Sequence, residues 1–147
     1  MEKNDQLQVK IITPNGLAHK SLADSVTAPA TNGTVSILPH HIPFFTPLDA
    51  GEIIVRLGDK KEFFAITGGF MDVNSGGVVT ILTDSAQRSA DIDEKSSLRA
   101  QEAAQKILSQ REKLSARDFA QAEASLRKSI LELKIAGKRK YKSSPTG

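Results

Sequence analysis

The sequence predicts an all-β domain followed by α: an N-terminal β-sandwich, then a C-terminal antiparallel α-helical hairpin. Three observations carry this. Up to about Asp84, apolar and polar residues alternate in short runs between Gly- and Asn-containing turns, the period of two of half-buried strands. Beyond that point no Gly occurs between Gly77 and Gly137 and no Pro between Pro47 and Pro145, while Ala, Glu, Gln, Lys, Arg and Leu dominate, all good helix formers. The charge also changes sign. Residues 1–90 carry 7 basic and 9 acidic side chains, a net −2, whereas residues 91–147 carry 13 and 8, a net +5. Opposite signs in the two halves point to two parts with different surroundings.

The strands follow in order. Leu7, Val9 and Ile11 alternate with Gln8 and Lys10, and Pro14-Asn15-Gly16 ends the run with residues that suit a tight turn. A second strand is expected over Lys20–Ala28, then a turn at Thr31-Asn32-Gly33-Thr34, then the strand "VSIL". "EIIVRL" and "EFFAIT", separated by "GDKK", read as a hairpin, as do "GFMDVN" and "VVTILTD" around "SGG". Close-spaced short strands of this kind suggest a sandwich or barrel.

The helices come next. Ala100, Ala104, Ile107, Leu108 and Leu114 fall near one helical face, and Phe119, Ala122, Leu126, Ile130 and Leu133 fall on another. Ser115 followed by Asp118 reads as a helix start, which implies a short link and an antiparallel pair. Alanine-rich faces bury little area, at about 0.8 kcal/mol per methylene, so this pair should separate more easily than a Leu-rich one. Domain limits are expected at residues 1–88, 89–136 and 137–147, the last a basic, disordered tail.

Composition removes several functions. The 147 residues include no Cys, which excludes disulfides, thiolate zinc sites, iron–sulfur clusters and cysteine nucleophiles. The polar start "MEKNDQLQVK" does not read as a signal peptide. The apolar runs are far shorter than the ~18 residues of a membrane span.

Four clusters invite a chemical reading. His40 and His41 sit between Pro39 and Pro43. One metal ion needs three or four converging ligands, and only His19 remains as a further histidine. A stiffened loop presenting polar groups is the simpler reading. Gly68-Gly69 is followed by strand pattern, not by the helix a phosphate loop requires, so it marks a tight turn or a close backbone approach. Asp91, Asp93 and Glu94 precede a helix, where carboxylates satisfy free N–H groups. Arg117, Arg127, Lys128, Lys134, Lys138, Arg139, Lys140 and Lys142 form a basic set that fits an acidic partner, nucleic acid, or a solvated face. No helix-turn-helix or RNA-motif signature accompanies it, and Phe119 and Tyr141 are the aromatic side chains within its span.

Two long stretches then resemble a known family. "VTAPATNGTVSILPHHIPFFTPLDAGEI" (Val26–Ile53) and "FAITGGFMDVNSGGVVTILTDSAQRSADID" (Phe64–Asp93) are similar to the two signatures of the ε subunit of the F-type proton-translocating ATP synthase. "DFAQAEASLRKSI" (Asp118–Ile130) resembles its second C-terminal helix. The resemblance implies a non-catalytic subunit at the foot of the central stalk, turning with the rotor and coupling proton flow to ATP synthesis. It implies location at the cytoplasmic face of the bacterial membrane, held there only through the complex. By position, Asn32, Gly33, His40 and His41 would face the c-ring. Pro47, Leu48, Gly68, Gly69 and Phe70 would pack against the γ subunit. Arg127 and Lys128 would lie on the basic helix, which in an extended state meets an acidic segment of the β subunits and blocks ATP hydrolysis. No nucleic-acid partner is implied. His40 stands where the family has Gly. In ATP-binding members Ile/Leu-Asp and Arg-Ala are two residues apart, but here five residues separate Ile92-Asp93 from Arg99-Ala100. Glu132 stands where those members carry Arg. No cofactor, metal or regulatory ATP is therefore expected.

Overall fold

The computed structural model describes residues 5–143, with side chains to residue 137. It divides into two compact units, residues 1–88 and 89–147.

Among the described residues the first unit holds eight strands: β1 (Leu7–Thr13), β2 (Gly16–Ala23), β3 (Ser25–Ala30), β4 (Gly33–Ile37), β5 (Phe44–Leu57), β6 (Lys60–Val73), β7 (Val78–Leu82) and β8 (Ala86–Arg88). Their pairing order is β2-β1-β7-β6-β5-β3-β4, with β8 on the same edge of β6 as β7, farther along it. β1 and β7 are parallel, and the remaining pairs are antiparallel. β5 and β6 are 14 residues each, long enough to serve both layers. The far half of β6 pairs with β7, and its near half pairs with β8. The inward residues meet in one core: Val9, Ile11, Met71, Val73, Val79 and Ile81 from one layer, and Val26, Ala28, Ile37, Ile53, Val55, Phe64 and Ile66 from the other. Burying the side chains larger than Ala, at roughly 1.5–3 kcal/mol each relative to exposure, drives the closure.

The β5–β6 ribbon turns between layers where its pairing skips. Leu48 pairs with Gly69 and Ala50 with Thr67, and the ladder leaves Asp49 and Gly68 between them. Gly68 and Gly69 hold φ of 108° and 143°, a region that favours glycine. A Cβ on Gly69 would collide with the Leu82 carbonyl. The Gly-Gly pair is thus a close backbone approach inside one continuous strand; it does not turn between two strands.

The expected strand Lys20–Ala28 is two strands, broken at Asp24. The Asp24 backbone N–H donates to Arg56 O at 2.7 Å, and its Oδ2 accepts from the Gly58 N–H at 2.7 Å. Those two bonds hold a corner that lets β2 and β3 enter different layers.

The second unit begins with a 3-10 turn, Ser89–Asp91, and continues into α1 (Glu94–Leu108) and α2 (Ala116–Ser143). Asp93 caps α1, its Oδ1 accepting from the Lys95 and Ser96 N–H groups at 3.1 and 3.4 Å. Ser115 caps α2 by accepting from the Asp118 N–H at 3.1 Å. Arg111, in the link, lies over the Phe119 ring at 5.4 Å. The seam keeps Ala104 and Ala122 of the expected faces and differs elsewhere. The buried residues are Ser97 and Ala104 on α1 and Ala122, Ser129, Ile135 and Ala136 on α2. Ser97 and Ala104, and Ala122, Ser129 and Ala136, recur every seven residues, the spacing of a close-packed helical pair, and Ile135 lies beside the last of them. Leu98, Ile107 and Ile130 flank that seam and stay about half exposed, because small residues bring the axes together and push larger ones aside. Leu114 lies beyond α1, in the link. Residues 137–143, read from the sequence as a disordered tail, continue α2; residues 144–147 lie outside the described residues.

Candidate functional site

β5, β6 and β7 lie side by side, and their outward residues form an apolar stripe. Pro47 pairs with Phe70, and Phe70 with Leu82. All three are exposed. Phe45 joins them by stacking on Phe70, centroids 5.6 Å apart and planes 13° apart. Phe45 is 62% and Phe70 48% exposed, a large aromatic surface left to water. A groove of about 480 Å³ runs along the same edge between Ile12, Gly68, Gly69, Phe70 and Leu82.

Four of the five residues expected to face γ lie at this surface: Pro47, Gly68, Gly69 and Phe70. Leu48 does not present its side chain there. It is 5% exposed and belongs to the core, because successive strand residues point to opposite faces. The sequence reasoning missed Phe45, Leu82 and Ile12. Phe44-Phe45 carried a usable signal, since adjacent strand residues must put one ring on each face.

The residues expected to face the c-ring fall in two places. Asn32 and Gly33 form the β3–β4 turn, beside β5, where the Thr31 N–H donates to Pro47 O at 3.2 Å. His40 and His41 lie beyond the other end of β4, a separation of roughly 15 Å at 3.3 Å per residue. The two histidines are in a turn closed by the His41 N–H on Leu38 O at 3.1 Å. They diverge. His40 Nε2 reaches Asp5 Oδ1 at 2.8 Å, and His41 Nδ1 lies 2.7 Å from Ile42 O with its ring 5.7 Å from Phe44. His40 is the one non-glycine residue with positive φ, 68°, among the described residues, at the position where the resemblance places Gly. A cleft of about 520 Å³ opens beside it, lined by Gln8, Leu22, His41, Val73 and Gly77. Ile37 anchors this loop in the core, whereas Leu38 is exposed, as is Ile42 at 73%. Among the described residues no three His, Asp or Glu side chains are placed to hold a metal ion.

His19, on β2, is half-buried against Phe64, centroids 4.7 Å apart, with Nε2 2.9 Å from Ser21 Oγ. Burial pushes its pKa below the usual 6.5; nearby Glu62 opposes that shift and Arg88 adds to it. On α2, Arg127 and Lys128 are exposed beside the buried Ser129. Glu132 lies in the hairpin and accepts from the Ser97 hydroxyl at 3.1 Å. The basic residues after 137 lie outside the described side chains.

Fold and surface together define a two-part binding module: a sandwich with an apolar aromatic stripe, followed by a helical hairpin. The family described as "ATP synthase, Delta/Epsilon chain, beta-sandwich domain" matches residues 6–89. The ATP synthase epsilon chain of Moorella thermoacetica is 39% identical over 132 residues, covering 89% of this chain and 96% of that one. The epsilon chain of Halalkalibacterium halodurans is 36% identical, covering 90% and 98%. A chain in the Euglena gracilis mitochondrial ATP synthase structure of OSCP, F1 and c-ring superposes with a TM-score of 0.71 at 27% identity, over 90% of this chain and 81% of that one. The chain belongs to the ATP synthase epsilon-chain family. No helix among the described residues is long and apolar enough to cross a membrane.

Proposed function

We propose that this chain is a non-catalytic rotor subunit of the central stalk in an F-type ATP synthase, coupling proton translocation to ATP synthesis. It docks on the γ subunit through the stripe of Phe45, Pro47, Phe70 and Leu82. The observation that carries this reading is convergence: residues far apart in sequence, assigned to γ by resemblance, share one exposed apolar surface on β5 and β6. Stacked aromatics of this kind are typical anchors of protein interfaces. The c-ring contacts are Asn32 and Gly33 in one turn and His40 and His41 in the other, two separate points of touch. The subunit stays peripheral, at the cytoplasmic face of the bacterial membrane, through the complex.

The hairpin acts as a brake on hydrolysis. When it extends, Arg127 and Lys128 face an acidic segment of the β subunits. Neither ATP nor nucleic acid is a ligand in this reading. Asp93 is engaged in capping α1, and Glu132 is bonded to Ser97. Reconstitution with γ from the same organism tests the docking. Full-length chain should co-purify with γ, and a chain ending at Arg88 should do so equally well while the reconstituted complex hydrolyses ATP faster. Absence of a γ complex removes the proposal, and unchanged hydrolysis removes the brake.

A further inference from the structure

Ser97 and Glu132 are 35 residues apart in sequence, yet the Ser97 hydroxyl donates to Glu132 Oε1 at 3.1 Å. Ser97 is buried and lies in the first turn of α1; Glu132 is half-buried on α2. The bond therefore spans the open end of the hairpin, far from the Arg111–Phe119 contact at the link end. The two ends differ physically. At the link the chain itself keeps the helices together. At the open end side-chain contacts do: Ile135 and Ala136 are fully buried there and the Ser89–Asp91 turn touches α2, while the seam between offers Ala104, Ala122 and the hydroxyl of Ser129, which donates to Leu126 O at 2.9 Å. The small side chains contribute little burial, and a hydrogen bond to a carboxylate is comparable with the burial of the one Ile, Ile135, so its loss removes a large share of what holds this end.

We propose that the Ser97–Glu132 hydrogen bond is a latch that sets how often the hairpin opens. Opening begins at the unlinked end, so the bond breaks at the first step and exposes both groups to water. The inference deepens the brake reading and rests on it only for its consequence in the assembled enzyme.

Amide hydrogen exchange on the isolated full-length chain tests it, because exchange reads local opening directly. Ser97→Ala and Glu132→Ala should each speed exchange of the α1 amides by about tenfold, the effect of losing one charge-assisted hydrogen bond. The double variant should be no faster than either single, since both remove the same interaction. Glu132→Gln keeps a carbonyl acceptor and should stay within about threefold of the parent. Exchange in β1, β6 and β7 should not change. Unaltered α1 exchange, or single effects that multiply in the double variant, would overturn the latch. The same variants in the assembled complex separate the two ideas: faster α1 exchange with unchanged ATP hydrolysis sustains the latch and removes the brake.

Discussion

Two residues show most sharply how the chain's chemistry meets its backbone. Gly69 is fixed by space: its φ of 143° and the Leu82 carbonyl leave no room for a Cβ. Gly69→Ala should lower the stability of the sandwich by about 2–4 kcal/mol, the scale of a strained backbone plus a steric clash, read as a fall in the urea midpoint. His40 is the opposite case, a side chain where glycine would cost less. Its left-handed conformation costs about 1–2 kcal/mol, and its exposed pair with Asp5 returns at most about 1 kcal/mol. His40→Gly should change stability by no more than about 1 kcal/mol, whereas the β-branched His40→Val should lose about 2 kcal/mol. The urea midpoints of the two variants should differ in that order. His19 brings a pH dependence. Its folded pKa lies below 6.5, so between the two values the unfolded chain binds more proton than the folded one. The stability due to neutral His19 is complete above about pH 6.5 and is lost as the pH falls through the depressed folded value. His19→Gln should lose less stability than the parent between pH 7 and pH 5, measured by urea unfolding at both.

At the scale of elements, much of the fold could be read from the sequence. Alternation located β1 at Leu7–Thr13, and "GDKK" and "SGG" marked the β5–β6 and β6–β7 turns. The failures share a cause: three-dimensional contacts override local pattern. Lys20–Ala28 looks continuous because nothing near Asp24 in sequence reveals its bonds to Arg56 and Gly58, more than thirty residues away. Gly68-Gly69 looks like a turn because the same glycines serve a bend within a strand. The helical faces were legible at Ala104 and Ala122 but not at Ser97 and Ser129, because apolar character does not reveal a seam that also selects for small size. The candidate site was legible in part. Pro47, Gly68, Gly69 and Phe70 came from resemblance, whereas Phe45, Leu82 and Ile12 needed the strand pairing. Phe45→Ser or Phe70→Ser should weaken binding of γ by tenfold or more, the loss of about 1.4 kcal/mol or more expected for an aromatic anchor, with little effect on the unfolding midpoint because both rings already face water. Surface plasmon resonance against immobilised γ would read the first, and urea unfolding the second.

For the whole molecule, the proposed division of labour follows the division of the chain. A net −2 over residues 1–90 and +5 over residues 91–147 place opposite charge on two units with separate internal packing. A sandwich closed by one apolar core can present a fixed docking stripe, while a hairpin held by small residues can change state without unfolding that core. The electrostatic part of the proposed brake should weaken with salt, because exposed charges are screened over about 8 Å at physiological ionic strength. Reversing charge at Arg127 and Lys128 together should raise hydrolysis most at low salt. The central claim, docking on γ through the aromatic stripe, is tested most directly by the equilibrium binding of γ from the same organism to the full-length chain and to a Phe45→Ser, Phe70→Ser variant. Tight binding by the parent and a loss of a hundredfold or more in the folded variant, the effect of removing two anchors, is the predicted result. No binding by the parent, or equal binding by both, would contradict it.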